Sequence, residues 1–429
     1  MKTLLFFVLY LFPLLLLFSY RSKYGARVLR VNCSSIVMLF YIISNHIGLV
    51  FLFFAEHGVK QLSYINKDTV LYLAACSSVV VFIYIVIDAL LLKVSPYQRL
   101  VDVKAITDER INYIPIIGVG LVTGAIAMAK FLDNSPLLML LSGDFSGAHS
   151  ARLSTYSDGN HFWGIKPSYL KIIFEVLLFA MTIPLVKFAA NKKTGNLLIY
   201  IPLLIIVMLE SMSNVSKGAL IIPLFQIWIL YSLVSHSSQL NNRFVFWAVT
   251  VTVIIISSIS AYIMHKSAID FLYPIERLTL GNLIPQYVVV NYFNFDNILY
   301  GATAPRWMSF GAHTQILLDV FAWKELTGWS DGSFYTAPSS FVAHGHANLH
   351  IFGVMLLTAA VFFFLRMIDL LLITVKSETI YVALMVYTCY HFSILAAGAS
   401  IAFMFDYYYF AVILFAFFFY SKSLTQKNG

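Results

Sequence analysis

Apolar residues along this chain come in long unbroken runs separated by short polar intervals, with neither the two-residue alternation of strands nor the one-sided stripe of a soluble helix. Runs of roughly 18 to 25 residues match the thickness of a ~30 Å hydrocarbon core. They predict spans at 3–20, 34–54, 68–93, 113–130, 169–188, 197–213, 218–235, 245–264, 351–374, 379–397 and 401–420. Residues 3–20 are longer than the apolar region of a secretory leader and lack a small-residue cleavage site, so they count as a span. The expected fold is all-α: a polytopic transmembrane helix bundle of about eleven spans, forming a single integral membrane domain over 1–429 with a large external loop before the last three spans.

Orientation follows from where the basic residues fall. Arg21, Lys23, Arg27 and Arg30 close the first span and, by the positive-inside rule, belong in the cytoplasm, which puts the N-terminus outside. Arg99, Lys104, Arg110, Lys187, Lys192, Lys193, Arg243, Lys376, Lys422 and Lys427 then fall on the same side, leaving the C-terminus cytoplasmic. Two segments face outward, 131–168 and 265–350. The first holds a short apolar piece, Pro136 to Leu141, as expected of a re-entrant or interfacial helix, followed by polar sequence containing Arg152 and Tyr156. The second opens with Ile269, Leu272, Ile275, Leu278 and Leu280 interleaved with Asp270, Glu276 and Arg277, the pattern of an amphipathic helix lying at the interface. Aromatics recur through it, Trp307 and Trp329 among them. Anchoring at headgroup level is their ordinary role, and stacking against sugar rings is the functional alternative.

Composition supports the class and narrows the chemistry. With 60% apolar and 11% charged residues, and a mean hydropathy of +0.82, the chain lies outside the range of soluble domains. Its net charge of +8 is scattered between apolar runs, as suits loops facing anionic lipid, and implies no nucleic-acid partner. Cys33, Cys76 and Cys389 have no paired or metal-like spacing. The chain has no phosphate-binding glycine loop, no zinc-type His-Glu-x-x-His and no Asp-x-Asp pair for a nucleotide-sugar metal. An enzyme here is expected to work without metal or other cofactor.

The candidate reactive groups gather at one membrane boundary. Glu175, Glu210 and Asp406 sit near the outer ends of their spans, Asp88 near an inner end, and Arg366 with Asp369 make a one-turn ion pair near the inner face. His46 and His391 lie within spans, where a lone histidine is ordinarily a satisfied packing residue. The nearly bare midplane argues against a transporter with central ionisable groups. Arg152, Lys217, Arg277 and Arg306 fall on the external side; guanidinium forks suit phosphate oxygens, and Lys217 stands just before a helix start with free backbone donors. Singly, each is an ordinary interfacial anchor. His344, His346 and His350 end the second external segment. His346 and His350, four apart, share a face once the next helix has begun, and a neutral imidazole suits proton abstraction from a hydroxyl. The alternatives are a structural cap or a zinc pair, though no third ligand stands at suitable spacing.

Several short elements resemble the bacterial O-antigen polymerases (Wzy family) and the related O-antigen ligases. Arg152 followed by Gly159 resembles the arginine-to-glycine element of the polymerases' first external loop, and Ser216-Lys217-Gly218 their small-basic-small step at a helix start, with lysine in place of the more usual arginine. Ala337-Pro338-Ser339-Ser340-Phe341-Val342-Ala343, leading through His346, Asn348 and Gly353, is similar to the loop-to-helix junction of both groups, where ligases carry a functional histidine. The resemblance implies a glycosyltransferase of the bacterial inner membrane acting in lipopolysaccharide biosynthesis. It would move the growing glycan from undecaprenyl diphosphate onto the next lipid-linked repeat unit, working beside a flippase and a chain-length regulator. Arg152, Arg277, Arg306 and Lys217 would hold the leaving diphosphate. His344 or His346, or in their place Glu276 or Asp319, would activate the acceptor, and Tyr156, Trp307 and His350 would contact sugar. A ligase acting on lipid A-core is the alternative within this chemistry; a lipid-linked oligosaccharide flippase is the alternative outside it.

Overall fold

The structure is a computed structural model that describes residues 1–23, 31–55, 64–92, 101–132, 167–213, 218–235, 272–293, 298–300, 340–397 and 401–425, with a few isolated positions between them. Every element in these residues is helical. In chain order they are α1 (Lys2–Lys23), α2 (Cys33–Tyr41), a π-helical turn (Ile42–His46), α3 (Gly48–Phe54), α4 (Lys67–Leu92), α5 (Val103–Asp108), α6 (Ile114–Leu132), α7 (Pro167–Ala180), α8 (Thr182–Asn191), α9 (Thr194–Ser213), α10 (Gly218–Ser235), α11 (Leu272–Tyr292), α12 (Phe341–Ile373), α13 (Glu378–Ala397), a 3-10 turn (Ile401–Phe405) and α14 (Tyr407–Thr425). Among the described residues, seven stretches are long and apolar enough to cross a bilayer: Lys2–Tyr20, Cys33–Phe54, Lys67–Leu91, Leu170–Asn191, Thr194–Ser211, Phe341–Ile373 and Glu378–Ala396. Ile114–Ala129, Ile222–Val234 and Phe403–Phe418 are apolar but shorter. The run expected at 245–264 lies almost wholly outside the described residues. This is a multi-pass membrane protein.

The chain divides into two compact units. Unit 1 is Met1–Arg99, Val249–Leu371 and His391–Phe405. In it α1 and α4 run parallel: Lys2 pairs with Asp68 at 2.8 Å at one end, and the Tyr20 hydroxyl donates to Asp88 at 3.0 Å at the other. The stretch from α2 to α3 runs antiparallel to both. Phe6 stacks on Phe53 with centroids 4.1 Å apart, and Tyr10 on His46 at 4.5 Å. The π turn interrupts the i→i−4 ladder, and its polar residues re-satisfy the backbone around it. Ser44 Oγ donates to Phe40 O (2.7 Å) and Asn45 Nδ2 to Ala396 O (2.7 Å). His46 is held at both ring nitrogens, by Ser77 Oγ at 2.7 Å and the Tyr10 carbonyl at 2.9 Å, which makes it a packing histidine. Just beyond, Gly48 lets α11 approach: a Cβ there would lie 2.8 Å from the Thr279 carbonyl.

At its opposite end, α2 is capped twice. Asn32 accepts from the Ser35 amide at 2.8 Å, and the Asp369 carboxylate from α12 takes the Cys33 amide (2.7 Å), the Ser34 amide (3.3 Å) and the Ser34 hydroxyl (2.9 Å). Free amides at a helix start carry partial positive charge, so a carboxylate is well placed there. Asp369, expected from the sequence as one half of an ion pair with Arg366, is thus the joint between two spans 335 residues apart.

Unit 2 is Leu100–Ala248, Leu372–Tyr390 and Asp406–Gly429. Short α5 and the residue after it clamp two longer helices. Buried Lys187 of α8 donates to the carbonyls of Ile106, Thr107 and Glu109, the open C-terminal end of α5. Glu109 caps the start of α13, accepting from the Glu378 amide (2.9 Å), the Thr379 amide (3.1 Å) and the Ser377 hydroxyl (3.0 Å). In α6, Gly120 and Gly124 are spaced as a Gly-x-x-x-Gly face and bring the helix against Leu203 and Ile206 of α9. Glu175 of α7 is buried and accepts from the Tyr387 hydroxyl at 2.9 Å.

Candidate functional site

The three histidines stand on α12, whose start differs from expectation. The sequence predicts a span from about 351, with the helix entered as early as Ala347 if His346 and His350 share a face, and His344 before it. The helix begins at Phe341 and contains all three. It is broken between two pieces, 341–348 and 351–373, by Leu349 (φ −149°, ψ 30°) and His350 (φ 50°, ψ −138°). Positive φ in a residue carrying a Cβ costs about 1–3 kcal/mol and persists only where its surroundings impose it. The break is a fold-back. In a straight helix eight residues rise about 12 Å, yet a Cβ added to Gly345 would lie 2.7 Å from the backbone of Gly353. The two glycines touch main chain to main chain, and any larger residue at either would force the pieces apart.

The piece 341–348 is tied down on several sides within unit 1. Ser340 Oγ donates to Gln286 Oε1 at 2.6 Å, the Leu299 amide to the Ala347 carbonyl at 3.0 Å, and Asn348 Nδ2 back to the His344 carbonyl at 2.7 Å. Ala343 and Ala347 pack with Val289 and Phe293 of the α11 end. His346 has a partner at each ring nitrogen: Nε2 lies 2.9 Å from the Phe293 carbonyl and Nδ1 2.9 Å from the Tyr72 hydroxyl. A carbonyl only accepts, so Nε2 carries the proton, and Nδ1 is left as the lone-pair nitrogen that receives the Tyr72 hydrogen. The His350 ring meets His346 edge-on, centroids 4.6 Å apart. The fold-back therefore does bring His346 and His350 together.

Accessibility separates the candidates. His344 is 3% and His346 4% exposed, so neither touches anything outside the helix packing, whereas Tyr72 and His350 are partly exposed. Polar groups continue along the same helix ends. Thr69 donates to Asn291 at 2.9 Å, and Tyr287 accepts the Asn66 amide at 2.7 Å, with Lys67 and Asp68 beside them. Burial lifts the Tyr287 phenol above its ordinary range, so it remains protonated. The α4, α11 and α12 ends thus form one polar patch on unit 1, and it is the best-defined candidate site among the described residues.

The other expected site residues stand apart from this geometry or outside it. Arg152, Tyr156, Lys217, Arg306, Trp307 and Asp319 lie outside the described residues. Glu276 and Arg277 belong to the first two turns of α11, with side chains outside the description. The 16 residues from Arg277 to Phe293 correspond to about 24 Å of helix rise. The expected interfacial helix at 269–280 continues to Tyr292, and its later turns are core: Leu280, Leu283, Ile284, Tyr287 and Val288 are buried against α3 and α4. Sequence reasoning missed Tyr72 and Gln286, which sit in apolar runs with nothing local to mark them. The signal within reach was the pair Gly345 and Gly353 flanking His350.

No family model matches the chain, and neither the curated proteins nor the solved structures contain a match.

Proposed function

We propose that this protein is a glycosyltransferase of the O-antigen polymerase type, working at the outer face of a bacterial inner membrane on undecaprenyl-diphosphate-linked oligosaccharides. The observation that carries the reading is the strained fold-back that sets His346 against Tyr72 and His350. Strain of this kind is stored where function needs a fixed arrangement, and the Phe293 carbonyl beside it fixes which histidine nitrogen holds a lone pair. The sequence resemblance supplies the substrate class: His346 falls in the junction shared with the polymerases and ligases, and the chain lacks nucleotide-sugar motifs.

The acceptor hydroxyl attacks the anomeric carbon of the growing glycan, the glycosyl–phosphate bond breaks, and undecaprenyl diphosphate leaves. Its negative charge develops at the phosphate oxygens, where Arg152, Arg306 and Lys217 act as preorganised cations. Arg277, a long way along α11 from the histidines, holds the carrier at a distance from the reacting centre. His346 is the base that ends the step one proton richer. His350 and the aromatics Tyr156 and Trp307 contact sugar.

The test is the gel pattern of surface polysaccharide from a deletion strain and its complements. Single-repeat lipopolysaccharide identifies a polymerase, and complementation by the wild type restores the ladder. Polymer that accumulates on the carrier lipid without ligation identifies a ligase, the second reading, favoured by the histidine at the shared junction. Repeat units trapped on the inner leaflet identify a flippase and overturn both. Folded Arg277→Ala and His346→Ala variants that still build long polymer remove these residues from the mechanism.

A further inference from the structure

His346, buried with both nitrogens engaged, has no direct path to a glycan. Its Nε2 is committed to the Phe293 carbonyl. Its Nδ1 points to the Tyr72 hydroxyl at 2.9 Å, on the α4 helix, and the Tyr72 ring stands edge-on to the imidazole with centroids 5.2 Å apart. Tyr72 is partly exposed and lies five residues from the start of α4, about 8 Å of helix rise, beside Thr69 and Asn291. The hydrogen bond that the histidine's lone-pair nitrogen makes thus runs to a partly exposed phenol at the polar patch.

We infer that Tyr72 is a proton relay, and that His346 acts as a base only through it. The inference rests on the proposed glycosyl transfer and names the residue that touches the acceptor. As the acceptor oxygen bonds to the anomeric carbon, its proton passes to the Tyr72 oxygen while the Tyr72 proton passes to His346 Nδ1. Tyr72 is neutral before and after, and the imidazole becomes imidazolium. The charge gained is balanced by the negative charge carried off by the diphosphate. The Phe293 carbonyl, the Nε2–H acceptor throughout, holds the ring in the tautomer that the transfer needs and stabilises the imidazolium. His346 is then a positioning and proton-storing residue, and Tyr72 is the catalytic one.

The experiment uses the full chain in proteoliposomes with undecaprenyl-diphosphate-linked repeat units, comparing wild type, Tyr72→Phe, His346→Gln and the double variant. Tyr72→Phe keeps the ring and removes only the hydroxyl. The expected result is a fall in kcat of about 10²-fold or more, in the range of general acid–base catalysis, with KM unchanged. His346→Gln falls similarly, and the double variant is no slower than the worse single one, because the two act as a unit. A Tyr72→Phe enzyme with wild-type kcat beside an inactive His346→Gln overturns the relay and leaves the proposed function standing. Additive losses overturn the relay also. Failure of the wild type to extend any glycan overturns the proposed function and the relay with it. If Tyr72→Phe does not fold, 3-fluorotyrosine at position 72 replaces it: the relay requires a shifted pH–rate profile, and an unchanged profile overturns it.

Discussion

His350 carries the clearest residue-scale consequence, because its backbone and its ring make separable demands. A φ of 50° suits glycine, while the ring contact with His346 needs the side chain. His350→Ala removes the ring and keeps the strain; His350→Gly removes both. His350→Gly is expected to be more stable than His350→Ala by about 1 kcal/mol, the usual worth of a relieved left-handed conformation offset by glycine's extra unfolded-state entropy. Thermal unfolding in detergent reads the difference, and equal melting temperatures would show that the fold-back stores no strain. The histidine triplet was visible in the sequence as a spacing, and so was the possibility that His346 and His350 meet. Their inaccessibility was not visible, nor was the division of labour between Nδ1 and Nε2. Both depend on Phe293 and Tyr72, which are 53 and 274 residues away.

Among the elements, α6 shows how helices associate where water offers no hydrophobic drive. Van der Waals contact decides, and small residues let backbones close in. Gly120 and Gly124 face Leu203 and Ile206, while Gly118 has no atom within 4 Å of where its Cβ would be. Gly120→Leu is expected to destabilise the protein by about 1–3 kcal/mol through overpacking, and Gly118→Leu to leave its stability unchanged or slightly raised. Melting temperatures of the two variants in the same detergent make the comparison, and equal losses would mean that α6 does not pack through this face. The same reasoning separates readable from unreadable elements. Long uniform helices such as α1 and α4 were legible from length and hydropathy alone. The extension of α11 to Tyr292 and the early start of α12 were not, since each depends on burial against distant helices. The π turn at Ile42–His46 had no local signature either; its polar residues make sense only once Ala396, Ser77 and Tyr10 stand beside them.

On the scale of the whole molecule, the parallel course of α1 and α4 and the antiparallel run of Cys33–Phe54 between them require successive spans to alternate. Which end faces outward rests on the basic residues, and the proposed topology gives opposite sides to the two termini. In a background lacking Cys33, Cys76 and Cys389, a membrane-impermeant maleimide is expected to label Lys2→Cys in intact cells, and Asn428→Cys only after permeabilisation. Labelling of both in intact cells would overturn the eleven-span topology. That topology also places the α4, α11 and α12 ends at the outer face, where a lipid-linked glycan is proposed to arrive.

The sequence by itself determined that this is a multi-pass helical membrane protein, because hydrocarbon thickness and the absence of water impose run length and backbone satisfaction on each span separately. It also singled out the segment where histidines collect. Only the tertiary structure decided what the polar residues meet: Asp369 as the cap of a distant span, a fold-back allowed by two touching glycines, and an imidazole fixed between a carbonyl and a phenol. Solvent acts on each stretch as it stands, so its imprint is local and readable. A hydrogen-bond partner is chosen by three-dimensional approach, which no local spacing encodes.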